Sequence, residues 1–116
     1  MSSMDIVGSG DSVFGAWETG GQVFWTSLAG SKDRDPVPAP GDGKGRKHPR
    51  LAVNGNRELL MAWTEGTGWQ KGGSVAWQVY DASGRPTSAR GSLPGVPVWS
   101  FAAPFANKDG SFSILF

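Results

Sequence analysis

The sequence predicts an all-β chain of antiparallel, four-stranded, blade-like repeats of the β-propeller type with an incomplete ring; a small β-barrel or sandwich is the alternative. Three observations lead there. Among 116 residues are 18 glycines, 8 prolines and 6 tryptophans, and short aromatic or β-branched runs between such breakers read as strands. No window of a dozen residues carries a helical apolar pattern free of Gly or Pro, so essentially no helix is expected. The third observation is that the chain repeats itself.

The repeat is read from aligned stretches. Asp11-Ser12-Val13-Phe14-Gly15-Ala16-Trp17 matches Arg57-Glu58-Leu59-Leu60-Met61-Ala62-Trp63, 46 positions later, and Ile6-Val7-Gly8 falls opposite Ala52-Val53-Asn54 at that spacing. Val23-Phe24-Trp25 matches Val75-Ala76-Trp77, now 52 positions later, so six residues are inserted around Gly66–Gly73. A third copy begins at Ala106–Phe112, which resembles Val53–Leu59 at a spacing of 53 and runs into Ser113-Ile114-Leu115-Phe116. One domain, 1–116, is expected, with units of about 1–46, 47–98 and a partial 99–116. That period suits a four-stranded blade.

Each element has its own justification. Val13–Trp17 and Leu59–Trp63 are apolar or small on both alternating sets, which requires cover on both faces. Val75, Trp77 and Val79 alternate with Ala76, Gln78 and Tyr80, a more amphipathic third strand. Arg34–Pro40 and Thr87–Pro94 carry Pro and polar residues, as edge strands do. Gly20-Gly21 reads as a tight hairpin, and Asp81-Ala82-Ser83-Gly84 as a strand end with a left-handed Gly. Trp17, Trp25, Trp63 and Trp77 recur in register and are expected in the core.

Composition narrows the function classes. Charged residues are 18% and the net charge is +1, which provides neither a basic face for nucleic acid nor an acidic tail. The local cluster Lys44, Arg46, Lys47, Arg50 is threaded with Gly and Pro beside Asp33, Asp35 and Asp42, and reads as a solvated loop. Cysteine is absent and His48 is the sole histidine, so no disulfide framework, thiolate site or multi-histidine metal site is expected, and no cofactor. Gly41-Asp42-Gly43-Lys44-Gly45 lacks the Lys-Ser/Thr ending of a phosphate loop. Met1–Val7 lacks a signal pattern, and no segment approaches the ~18 apolar residues of a membrane span. A soluble chain without membrane association is expected, its compartment left open.

At Lys47-His48-Pro49-Arg50-Leu51-Ala52-Val53-Asn54-Gly55, running on to Leu60-Met61-Ala62-Trp63-Thr64-Glu65-Gly66, the chain resembles bacterial propeller repeats of the sialidase-like kind. The resemblance is best over about Lys47–Phe116 and weaker before it. It implies a parent ring of about six blades, common in exported proteins that read sugars or polypeptides. The Asp-box turn of that family, Ser-x-Asp-x-Gly-x-Thr-Trp, is absent; Asp81–Thr87 keeps only Asp, Gly and Thr in looser order. The family's three carboxylate-binding arginines and Tyr-Glu pair are not matched either, with Tyr80 the one tyrosine. Sialidase chemistry is therefore not carried over.

The candidate ligand-binding residues are Trp69, Trp99, Glu18, Glu65, His48 and Arg50. Trp69 stands among glycines in the insertion, where a core residue is not needed, and an exposed indole is a platform for a sugar ring or an apolar group. Folding back onto its own blade is the competing reading. Trp99, after Pro97, opens the third unit at the same rim. Glu18 and Glu65 follow the two Ala-Trp pairs, so the repeat puts both at one end of adjacent sheets. Paired carboxylates there could flank a glycosidic bond, or simply end buried strands. His48, with Arg50 nearby, reads first as a hydrogen-bonded residue beside Pro49. No catalytic set is assigned. The function expected is a non-catalytic binding or scaffold module for a glycan or polypeptide; the alternative is a fragment of a hydrolase-like propeller enzyme. Two and a half units leave sheet faces open, from which a homo-oligomer is expected.

Overall fold

The structure is a computed structural model that describes residues 3–28 and 35–116; Asp33 and Arg34 of the sequence reading lie outside the described residues. Its described residues contain strands and no helix. Strands β1 (Met4–Ser9), β2 (Ser12–Thr19), β3 (Gln22–Ser27) and β4 (Val37–Pro38) form one antiparallel meander in sequential order. Strands β5 (Arg46–Val53), β6 (Leu59–Glu65), β7 (Gly73–Tyr80) and β8 (Pro86–Val96) form a second of the same order, and β9 (Ala103–Ala106) with β10 (Phe112–Leu115) a hairpin. The two four-stranded sheets are open rather than closed into a barrel.

The registers of the two sheets coincide. Ala16 stands opposite Trp25 and Trp17 opposite Phe24; Ala62 stands opposite Trp77 and Trp63 opposite Ala76. The first strands differ slightly from the sequence alignment. Ile6 pairs with Gly15 as Leu51 pairs with Met61, so β1 and β5 are 45 residues apart rather than 46. The missing residue is in the turns: Ser9 and Ser12 close around Gly10-Asp11, whereas the β5–β6 loop has one residue more.

That longer loop occurs three times. In Asn54–Glu58, Asp81–Arg85 and Asn107–Ser111, the first residue's N–H donates to the last residue's carbonyl, and the fourth residue's N–H donates to the first carbonyl. The fourth position is left-handed in each: Arg57 (φ 62°), Gly84 (φ 86°) and Gly110 (φ 90°). Short polar side chains hold the turn from within. Asn54 Oδ1 accepts from the N–H of Asn56 and Glu58, Asp81 Oδ1 from Ser83 and Arg85, and Asp109 Oδ1 from Ser111. Such side chains compete for local backbone donors and so fix turns.

The main core lies between the sheets. Phe14, Ala16, Val23 and Trp25 of the first sheet pack on Leu51, Leu59, Met61, Trp63, Ala76 and Tyr80 of the second. The Trp25 and Tyr80 rings are 5.0 Å apart. On its other face the second sheet turns Ala62, Val75 and Trp77 toward Ala102 and Ile114 of the third unit. Strand β6 is thus buried on both faces. Strand β7 is buried likewise, not amphipathic: even Gln78 is enclosed, its Nε2 donating to the Val79 and Thr87 carbonyls at 2.7 and 2.8 Å. Among the described residues, strand β2 is covered on one face only. Trp17 and Phe24 stack at 5.8 Å on the open side. Outer strand β8 is largely exposed, with Pro86 and Pro94 at edge positions that need no ladder donor. Gly91 faces the Trp77 indole so closely that a Cβ there would lie 2.6 Å from Cζ2.

A buried cation joins the two sheets. Arg46, 3% exposed, donates through Nε to Glu65 Oε1 at 3.0 Å, through one terminal nitrogen to Gln22 Oε1 and the Ala39 carbonyl at 3.0 and 2.9 Å, and through the other to the Pro40 carbonyl at 2.5 Å. Its guanidinium carbon sits 5.4 Å from the centre of the Trp63 ring. The expectation of a solvated basic loop is corrected here for Arg46. Five fixed N–H donors suit a site walled by carbonyls and a carboxylate, which offset the loss of water around the charge. The Gly41–Gly45 loop folds over this pair. A Cβ at Gly43 would lie 2.7 Å from Glu65 Oε1 and 2.9 Å from Arg46 Nε, so glycine there serves close approach rather than a phosphate.

Candidate functional site

Three segments converge on one cleft at the rim where β6 ends and β5 and β7 begin. The first is the β6–β7 loop. Gly68 and Lys71 exchange backbone hydrogen bonds at 3.1 Å, leaving Trp69 and Gln70 at the tip of a tight turn. Trp69 is 79% exposed. The second is the β8–β9 connection, where the Ser100 N–H donates to the Pro97 carbonyl at 3.1 Å and swings Trp99 outward. The third is the start of β5, where the pairing register with β6 shifts between Lys47 and Arg50. Such a bulge re-aims side chains at the end of a sheet, and here it presents His48.

The resulting cleft holds about 380 Å³ and is lined by Lys47, His48, Trp69, Lys71, Trp99 and Phe101 along with Thr67, Gly68 and Ser100. Trp69 and Trp99 meet edge to face at 4.9 Å, and His48 meets Phe101 edge to face at 4.6 Å. Lys47 Nζ donates to the Thr67 carbonyl at 3.1 Å, tying the bulge to the loop, and Thr64 Oγ1 donates to the Lys47 carbonyl at 3.2 Å. Among the described residues, two lysines and no carboxylate line the walls. The backbone there is strained. Of the four non-glycine residues with positive φ among the described residues, three are His48 (55°), Gln70 (50°) and Trp99 (65°). Each costs on the order of 1 kcal/mol, and such outliers gather where a fold positions functional side chains.

The residues nominated by sequence divide between this cleft and its supports. Trp69, Trp99 and His48 line it together. Glu18 stands just behind, its Oε2 accepting from the His48 N–H at 3.0 Å. His48 is half-buried, and Ser3 Oγ lies 3.2 Å from its Nδ1. Burial holds the imidazole below its usual pKa, Lys47 and Arg50 pull the same way, and Glu18 opposes them. Arg50 pairs across from Ala62 on the face toward the third unit. Glu65 sits elsewhere: its Oε1 accepts from Arg46 and from Trp63 Nε1, the latter at 2.9 Å. Glu18 and Glu65 thus each hold a neighbouring strand or side chain. Phe101, Lys47 and Lys71 were not nominated. Phe101, two residues beyond Trp99 after a Pro-bearing turn, offered a faint signal; Lys47 was hidden within the basic cluster.

No family model, curated protein or solved structure matches this chain. The site is therefore read from its geometry.

Proposed function

We propose that the chain is a non-catalytic binding module of the β-propeller type whose rim cleft holds a glycan or a polypeptide segment by stacking on Trp69. The observation that carries this reading is the convergence, from three separate segments, of exposed aromatic residues on strained backbone. A side chain as apolar as Trp69 gains nothing at 79% exposure unless another surface covers it. Trp99 meets it edge to face at 4.9 Å, and the exposed indole surface that remains is open to a ring or an apolar group. Lys47 and Lys71 add positive charge at the walls, which suits a ligand with a carboxylate beside its stacking group.

The sialidase-like resemblance supports the same reading at the level of ligand class, and no more. The hydrolase alternative lacks an observation in its favour, since Glu65 is engaged by Arg46 and Trp63. A glycan array and a peptide library, each probed with the wild-type chain and with Trp69→Ala, test the proposal. Binding weakened about tenfold or more by Trp69→Ala is expected, from about 1.5 kcal/mol of lost aromatic contact. Binding unchanged by Trp69→Ala and Trp99→Ala, or none in either library, refutes it.

A further inference from the structure

The open face of the first sheet has a counterpart elsewhere in the same chain. In the second sheet, the face formed by Leu59, Met61, Trp63, Ala76 and Tyr80 is buried throughout, because the first sheet covers it. By register the same positions in the first sheet are Val13, Gly15, Trp17, Phe24 and Leu28. Met4 and Ile6 join them from β1, across from Trp17 and Gly15. Nothing described in the chain covers this face: Met4, Ile6 and Leu28 are 69%, 65% and 54% exposed. Contiguous apolar surface of this kind on a soluble domain marks an interaction site.

The opposite kind of face is open at the other end. In each internal contact, the face carrying Phe14, Ala16, Val23 and Trp25, or its equivalent Leu60, Ala62, Val75 and Trp77, meets the next unit. In the β9–β10 hairpin Phe105 pairs with Ser113 and Ala103 with Leu115, which places these four on one face; Phe112 and Ile114 take the other, toward the second sheet. Ala103, Phe105 and Leu115 are exposed. Among the described residues neither open face carries an ionisable side chain, so little charge has to be desolvated when the two meet.

We propose that two copies of this chain associate head to tail, the β9–β10 hairpin of each packing its Ala103, Phe105 and Leu115 face on the Met4, Ile6, Trp17 and Leu28 face of the other. The contact continues, between chains, the stacking already made twice within one chain. It is heterologous, so it must close or polymerise. Each chain stacks three layers, two four-stranded sheets and a two-stranded hairpin, so two copies stack six, within the four to eight blades of propeller rings. Two copies therefore close the ring. This inference shares the ring architecture of the proposed function but is independent of the cleft's ligand.

Light scattering on the chromatographed full chain at micromolar concentration tests it. A mass of two 12.2 kDa chains is expected. Ile6→Glu and Leu115→Glu, both at exposed positions, should each give a folded monomer by circular dichroism. Mixing the two variants should restore a species of two chains, because one native pair of faces survives between them. A monomeric wild type, a higher polymer, a dimer indifferent to both substitutions, or variants that fail to complement each other on mixing would each overturn the head-to-tail ring. Failure here leaves ligand binding at Trp69 untouched, so the two proposals fail separately.

Discussion

Removing the Arg46 guanidinium is the sharpest test of how the two sheets are held together. Arg46→Met keeps much of the apolar stem and deletes the donors to Glu65, Gln22, Ala39 and Pro40. Breaking a buried ion pair from one side costs about 3–5 kcal/mol, mostly because the partner stays desolvated and unpaired. The Glu65 side chain keeps 26% of its surface in water, which favours the lower end, about 3 kcal/mol. With a urea m-value of about 1.5 kcal/mol/M, the midpoint should fall by about 2 M. Arg46→Lys retains the charge but cannot reach four acceptors in one plane, and should lose roughly 2 kcal/mol. Crossing Arg46→Met with Glu65→Leu should recover part of the loss, since the stranded carboxylate is then gone. A loss below about 1 kcal/mol for Arg46→Met, with the m-value unchanged, would refute the bridging role.

Three smaller perturbations follow from the same structure. Arg57→Gly relieves the left-handed backbone at φ 62° in a loop whose two counterparts already carry Gly, and should add about 1 kcal/mol, read as a rise in Tm of roughly 4 °C. Among the described residues, Trp25 Nε1 and Tyr80 Oη are buried beside one another without a hydrogen bond of good geometry, so Tyr80→Phe should be near neutral in urea titration, where a well-formed bond to the hydroxyl would cost about 1 kcal/mol. Because burial depresses the His48 pKa in the folded chain, the unfolded chain takes up its proton first as pH falls below 6.5. Stability should decline from there toward the depressed folded value, and His48→Gln should flatten that stretch of the stability–pH curve. An unaltered slope would place the imidazole in a solvated setting.

Strand order and turns were legible because their causes are local. Asn54, Asp81 and Asn107 each open a loop they also stabilise, and Ala-Trp repeats at the same point of successive sheets. Trp69 was legible for a related reason: six inserted residues rich in glycine cannot be needed by a core that the other sheet builds without them. Arg46 was not legible. A lone arginine among Lys44, Lys47 and Arg50 looks solvated until Gln22, Pro40 and Glu65, distant in sequence, close around it. The β7 pattern misled in a similar way, since Gln78 marks a solvent face by composition but here caps the Val79 and Thr87 carbonyls. Equivalent positions also differ in cover. Trp17 and Trp63 share a register, yet only Trp63 has a sheet above it.

That asymmetry is the most direct test of the stacking of successive sheets through equivalent faces. Proton–proton Overhauser contacts between assigned aromatic rings should link Trp25 to Tyr80 and Trp17 to Phe24, whose ring centres lie 5.0 and 5.8 Å apart, in the Ile6→Glu chain as in the wild type. Trp17 should show none to Tyr80 or Trp63. A Trp17–Tyr80 contact, or the absence of one between Trp25 and Tyr80, would mean that the sheets meet through other faces.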